Sequence, residues 1–580
     1  MKSLSILSFG LFCIGAQAET SVLNSTGNLV IPSGRTAQWA PGLEFRGGIP
    51  NRPTGSGTIF NAHTTYGADN TGVADATTAI QNALNAAGAA ASAANGCVVY
   101  LPTGTYLVSN TLFLKSNVSL RGDGPTLSII HYTGTANSPL SADIGTGWAA
   151  SQNITVAGNA GDTQITVASA AGMAVGGIIC ISQTNPTSPF PFVMTVGNNG
   201  NFVFAGSPKT TGGAAFAKGS SGDLNRCLMQ LNRITNISGN VLTLERPLYL
   251  ATGGTPYVNY QAGPFSTGVG IENLGINWTG VGVDEPTIEL SNCVLSWVKN
   301  VKSVLASGTA NYAHVYMYNS YANEVRDSWF QGGNVNTSGL DYGVLCFPNC
   351  SECLCENNVF AGMRHSMITS GGSGNVYGYN ISVGNIEEES NTWCPEDGCT
   401  HGAESFYNLF EGNITGQLTL DNTHGGNAWN TFYRNWSLAW SSGLNPALAA
   451  KQRYAVILNV NTYNANIAGN VYGQSGDVTT YAAGIHNRGV KSDYLFNDPN
   501  NLSSPTTGQN FASYYIQGNY SFLLNSTDWI GGTVVTLPVS LYYSSKPSWW
   551  TSPLPFPAIG PDCSPVNGSI PAEMRYRAQL

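Results

Sequence analysis

Apolar and polar residues alternate along much of this chain, and Asn and Gly interrupt the alternation at near-regular intervals. From residue 265 onward the segments IENLGIN, VKNVKSV, VRDSWFQG, ENNVFAG, GNVYGYN, YNLFEGN, WNTFYRN and GNVYGQ repeat one theme. Apolar side chains occupy every second position, and an Asn stands at a turn. A period of two belongs to a strand, whose successive side chains point to opposite faces. Short strands recurring about once per rung, with Asn at the corners, predict a solenoid in which each rung stacks on the next. The alternate apolar positions then fill the interior. The corner asparagines satisfy turn backbone groups and stack from rung to rung, so they are assigned to scaffold and not to chemistry.

Other stretches depart from the rung pattern. Ile80, Ala83, Leu84 and Ala87 recur at helical spacing behind Asp75, a capping residue, and predict one amphipathic helix. A helix followed by the short strands around Val98–Leu107 and Leu112–Leu120 suits a solenoid that must plug the open end of its core. Residues 146–256 carry strand alternation joined by Gly and Asn turns, and read as an inserted β-rich subdomain. The expected order is a leader at 1–18, a polar lead-in at 19–60, the solenoid start at 61–145, the insertion at 146–256, the main solenoid at 257–535 and a tail at 536–580. That tail is rich in Pro and aromatics, and is expected to pack along the solenoid or to cover its open end. The fold class is all-β: a right-handed parallel β-helix with an N-terminal capping helix and an inserted subdomain.

The order YGADNTG, capping helix, VYLPTGTY, NVSLRGDG covers about 60 residues and resembles the start of the pectate-lyase-like β-helix superfamily, with a domain of the pectate lyase 3 type. That group includes glycoside hydrolase families 28 and 55, polysaccharide lyases and tailspike-like depolymerases. The resemblance implies the parallel β-helix and a carbohydrate partner. The Asp-Asp pair and the Arg-x-Lys of family 28 are missing from this chain, as is the Arg-rich motif of pectate lyases.

Composition narrows the compartment and the partner. A Lys2 start, an apolar run from Leu4 to Ala16 and an Ala16-Gln17-Ala18 site before Glu19 describe a secretory leader. The protein is expected to be exported, with no membrane span. Charged residues make up 9% of the chain and the net charge is −9, which offers nucleic acid no basic footprint. Of twelve cysteines, Cys13 falls in the leader. Export favours disulfides, with Cys394 and Cys399 closing a Pro/Gly turn, while Cys346, Cys350, Cys353 and Cys355 suit disulfides ahead of zinc.

Against that sparse charge, residues 364–434 gather His365, His401 and His424 with Arg364, Glu387, Glu388, Glu389, Asp397, Glu404, Glu411, Asp421 and Arg434. Two Thr-His-Gly units begin at Thr400 and Thr423, and each histidine follows an Asp, Asp397 or Asp421. One rung between the units would set His401 over His424, about 5 Å apart, with His365 in the same column. Stacked imidazoles and carboxyls perturb one another's pKa, as general acids and bases require. The catalytic set is therefore expected to be Asp421, Glu404, Glu411, His424 and His401, with His365, Arg364, Arg434 and Asp397 binding substrate; a structural ladder of His-Gly turns and a metal site built on the histidines are the other readings of the cluster. No cofactor is required; a carboxylate-bound Ca²⁺ stays open. The expected activity is glycoside hydrolysis of a polysaccharide. A lyase or epimerase acting on a uronate polymer, and a non-catalytic glycan-binding adhesin, are the alternatives.

Overall fold

The computed structural model describes residues 22–579 except 24–28, 33, 53–57, 136, 143–146, 150, 184–227, 254–255, 281–283, 334–338, 386–395, 402–404, 422–426, 440–454, 460–461, 476–493, 497–513, 523, 530–533 and 551–552. The leader expected at 1–18 lies outside these residues. The chain folds as a right-handed parallel β-helix. One interior column can be followed from rung to rung by strand register through Val99, Leu120, Ile271, Val298, Val325, Cys355, Tyr377, Phe410, Phe432, Ile467 and Ile516. Each of these side chains is buried. Tyr377 lies flat on Phe410 with ring centroids 4.8 Å apart. Stacking of this kind is how a period-two pattern becomes a continuous core.

The turns obey the same logic. Asn358, Asn380, Asn413, Asn435, Asn470 and Asn519 form a buried ladder, each Nδ2 donating 2.9–3.0 Å to the Oδ1 of the next. A second ladder joins Asn375, Asn408 and Asn430 at 3.0 Å. Each amide also takes up turn backbone groups, as in Asn413 Nδ2 to Tyr377 O. The scaffold role read for the asparagines is what the structure shows.

The helix α1 (Thr77–Ala90) buries Ile80, Ala83, Leu84 and Ala87 against the first rungs. Asp75 stands one residue before the capping position, where it accepts the Thr77 N–H at 2.8 Å. The insertion closes into a six-stranded antiparallel barrel. Its last strand, Tyr257–Tyr260, lies beyond the boundary expected at 256. Ile154, Ile165, Ile179, Ile234, Leu242 and Val258 give the barrel a core of its own.

The C-terminal segment packs along the side of the helix. Leu537, Tyr542, Trp550, Ile559 and Ile570 share one cluster with Val359, Val376, Ile381, Leu409 and Ile414 of the rungs. The helix α2 (Pro571–Arg577) closes it. This segment rests on a charged stripe whose register runs Arg121, Glu272, Lys299, Arg326, Glu356, Gly378 and Glu411. Tyr542 and Tyr543 donate to Glu356, each at 2.8 Å, while Arg326 pairs with it at 3.1 Å. Cys346, Cys350, Cys353 and Cys355 are buried thiols of the solenoid core, unbridged to one another, so packing takes the place of the disulfides expected there. Cys394 lies outside the described residues.

Candidate functional site

Ten parallel strands form the sheet that matters most here: Leu112–Phe113, Leu140–Ser141, Ile288–Ser291, Ala313–Tyr318, Tyr342–Cys346, His365–Thr369, Gly398–Thr400, Leu418–Leu420, Val456–Leu458 and Tyr494–Phe496. Alternation decides what each strand presents outward. Leu418 and Leu420 enter the solenoid core, so Thr419 and Asp421 face away from it. On the adjacent rungs Cys399 and His401 take the matching outward positions, as do Ile457 and Asn459.

On this face His401 Nδ1 bonds Asp421 Oδ2. The other oxygen of Asp421 receives Asn459 Nδ2 at 3.4 Å. The His401 ring lies 6.3 Å from that of His365. His365 in turn stacks on Tyr342 at 5.5 Å, and its Nδ1 bonds the Glu396 carbonyl at 2.8 Å and lies 3.7 Å from the Glu396 carboxylate. Arg364 Nη1 donates to the Tyr342 hydroxyl at 3.1 Å. Burial pushes the His365 imidazole well below its ordinary pKa, and the Arg364 and His401 charges push the same way, so its ring is neutral near pH 7. The arrangement is an Asp–His pair beside a neutral imidazole, with a second carboxylate 3.7 Å from that imidazole.

The residues named from sequence therefore divide. His401, Asp421, His365 and Arg364 come together. Glu404, His424 and the run Glu387–Glu389 lie outside the described residues. The expected level of His401 shifts: Thr400 pairs with Leu420, so Asp421, and not a second histidine, comes at the next rung. The 23-residue spacing was misleading because the strand repeats after 20 residues while Ser405 pairs with Asn427 after 22.

Three of the expected residues do other work. Asp397 is enclosed: its carboxylate takes the amides of Gly416 and Gln417 and the side chains of Ser382 and Asn385, with its pKa raised by burial to about 7. It anchors a turn instead of meeting substrate. Glu411 is on a different sheet, covered by the C-terminal segment, where Tyr379 Oη and Leu541 N donate to it at 2.6 and 2.8 Å. Burial lifts its pKa to about 7 as well. Arg434 holds the same segment through Asp562 and the carbonyls of Leu537, Pro538 and Ile559. Trp550 is buried in that packing. Glu396, Asn459 and Tyr342 were missed. The alternation around Leu458 and Cys399 was the signal that could have placed Asn459 on this face. Among the described residues no group of three or more His, Cys, Asp or Glu is arranged to hold a metal, and no helix is long and apolar enough to cross a membrane.

Comparison with known proteins bears on the fold. Residues 59–181 match the family model described as rhamnogalacturonase A/epimerase, pectate lyase-like. The start of this solenoid is pectate-lyase-like. A curated protein, the non-secreted LysM effector LysM19 of Penicillium expansum, is 34% identical over 111 residues, which is 18% of this chain and 9% of that protein. Among solved structures, the chain is similar to the tailspike protein gp49 from Pseudomonas phage LKA1 (18% identity, TM-score 0.49, 72% of this chain and 64% of that one). It is similar also to the gp54 tailspike of Acinetobacter baumannii bacteriophage AP22, solved with a capsular saccharide (10%, 0.43, 80% and 63%). A third is the catalytic unit of a GH87 α-1,3-glucanase from Streptomyces thermodiastaticus (12%, 0.38, 81% and 60%). The chain thus spans a little under two thirds of the length of these solved relatives.

Proposed function

We propose that this chain is an exported carbohydrate-active β-helix that hydrolyses glycosidic bonds of a polysaccharide on the outward face of the ten-stranded sheet. One observation carries the reading: Asp421 is bonded to His401, whose ring lies 6.3 Å from that of His365, and His365 Nδ1 lies 3.7 Å from the Glu396 carboxylate. Glycoside hydrolysis takes two carboxyls, one to protonate the leaving oxygen and one to activate water or attack the sugar. Asp421, fixed by His401 and Asn459, serves as the ionised partner, and Glu396 as the acid. The rhamnogalacturonase-type family name attached to residues 59–181 supports a polysaccharide substrate.

A second reading has its own observation. Neutral His365 with Arg364 beside it is the base and cation that β-elimination of a uronate polymer uses. Mass spectrometry of products from a polysaccharide panel separates the two, since hydrolysis adds water and elimination leaves an unsaturated uronate. Hydrolysis products that vanish in Asp421→Asn and Glu396→Gln are expected. Unsaturated products sink the hydrolase reading in favour of a lyase. If no product forms while glycan is still bound, the chain is an adhesin.

A further inference from the structure

Ser370, His401, Asp421 and Asn459 come directly after Thr369, Thr400, Leu420 and Leu458, which pair in register, so four successive rungs present them at one outward position. With about 4.8 Å between strands, the stripe spans roughly 14 Å along the solenoid axis. Thr419 stands beside it, two positions before Asp421 on the same face. Three polar atoms of this patch, Ser370 Oγ, Thr419 Oγ1 and Asn459 Oδ1, are enclosed and have no hydrogen-bond partner among the described residues. Enclosed hydroxyls and carbonyls almost always find partners, and an orphan is costly enough to require an explanation. Here the orphans stand before, beside and after the His401–Asp421 pair.

We infer that Ser370, Thr419 and Asn459 form a hydroxyl-reading stripe that seats neutral sugar residues of the substrate, with the glycan chain lying along the solenoid axis. This rests on the reading of the face as a glycan-cleaving site. The chemistry of the orphans selects the ligand. Asn459 turns its Nδ2 to Asp421, which leaves its carbonyl to accept a hydrogen bond. Ser370 and Thr419 can both donate and accept. Sugar hydroxyls, which also do both, match all three. A uronate carboxylate would lie against Asp421 and gain no cation from these three side chains. Repeated hydroxyls along a polymer also match orphans spread over several rungs.

The test is steady-state kinetics of the full-length protein on soluble neutral polysaccharides (glucans, mannan, xylan) and on uronate polymers (polygalacturonate, alginate). Turnover on a neutral polymer is expected. Thr419→Val should raise KM about tenfold, the typical effect of one lost hydrogen bond, with kcat changed less, whereas Asn459→Ala, which also takes a donor from Asp421, should raise KM and lower kcat together. Thr419→Ser should restore the wild-type KM, which a packing defect would not allow. Turnover confined to uronate polymers overturns the stripe, as does an unchanged KM in both variants. If the KM values are unchanged while Asp421→Asn abolishes hydrolysis, the stripe fails and the hydrolase stands. Absence of turnover and of binding across the panel removes both.

Discussion

Replacing Arg434 with Met should loosen the C-terminal segment and leave the candidate site alone. The Arg434 side chain is 2% exposed, while its partner Asp562 is 42% exposed. The guanidinium donates to the Asp562 oxygens at 2.7 and 2.8 Å, to Pro538 O at 2.9 Å, to Ile559 O at 3.0 Å and to Leu537 O at 3.3 Å. Met conserves much of the volume and removes every donor. Pro538 O keeps the Tyr433 hydroxyl at 2.6 Å, but the Leu537 and Ile559 carbonyls lose the guanidinium. Leaving those two enclosed carbonyls without a donor costs about 1–3 kcal/mol each, roughly 2–6 kcal/mol together. The backbone adds nothing to that cost, because Arg434 already occupies a left-handed turn position at φ 52° and Met inherits the same strain. At about 1.4 kcal/mol per tenfold, opening of residues 535–579 should rise by roughly 30-fold to 10⁴-fold. Limited proteolysis under conditions where clipping follows the open population measures that rise, with cleavage sites mapped by mass spectrometry. Asp562→Asn is the control. With Asp562 half in solvent, it should cost no more than about 1 kcal/mol. If Arg434→Met leaves clipping unchanged and instead raises KM on the substrate, Arg434 binds glycan and the anchoring argument is wrong.

Phe410→Ala opens the interior column between Tyr377 and Phe432, and should cost about 3–5 kcal/mol in urea unfolding, with Phe410→Leu much milder. Gly378→Ala would drive a methyl group into the Tyr542 hydroxyl, so it should displace Tyr542 and increase clipping of the C-terminal segment with little effect on the Asn ladders. Glu411 has a folded pKa raised to about 7 from an ordinary value near 4.5. Its stabilising contribution is therefore complete below pH 4.5 and declines as pH rises through 7. Glu411→Gln should flatten the fall in urea midpoint between about pH 5 and 8, and an unchanged slope would contradict the burial argument. Asp421→Asn should lower kcat by about 10²–10⁴, the usual contribution of a positioned acid or base, while the urea midpoint moves far less.

How much of the molecule was legible in the sequence depends on which periodicities are strict. The alternation of two residues is enforced by burial: a slip of one residue would send Phe410, Phe432 and Ile467 outward, so the rungs, the plugging helix and the Asn ladders could be read from one chain. Rung length is not enforced in that way. Leu354 pairs with Val376 after 22 residues, but Val376 pairs with Leu409 after 33, because corners can lengthen without disturbing the strands. A column inferred from equal spacing is therefore sound only when both corners are equal. That condition holds for the aromatic-Asn units at Phe410 and Phe432, and fails for the histidines, where a 20-residue step brings Asp421 to His401. The same logic explains why Glu411 and Arg434 were drawn into the site. They are near Asp421 in sequence, but the sheet that holds them faces another way, and a charged side chain at that face needs a cover. The Pro- and aromatic-rich C-terminal segment supplies it, and its own composition makes sense as the partner of those buried charges. Charge clustering in a solenoid is thus evidence for a site only after parity and sheet have been assigned, and among the described residues His365, His401, Asp421 and Arg364 are the members that remain after that assignment.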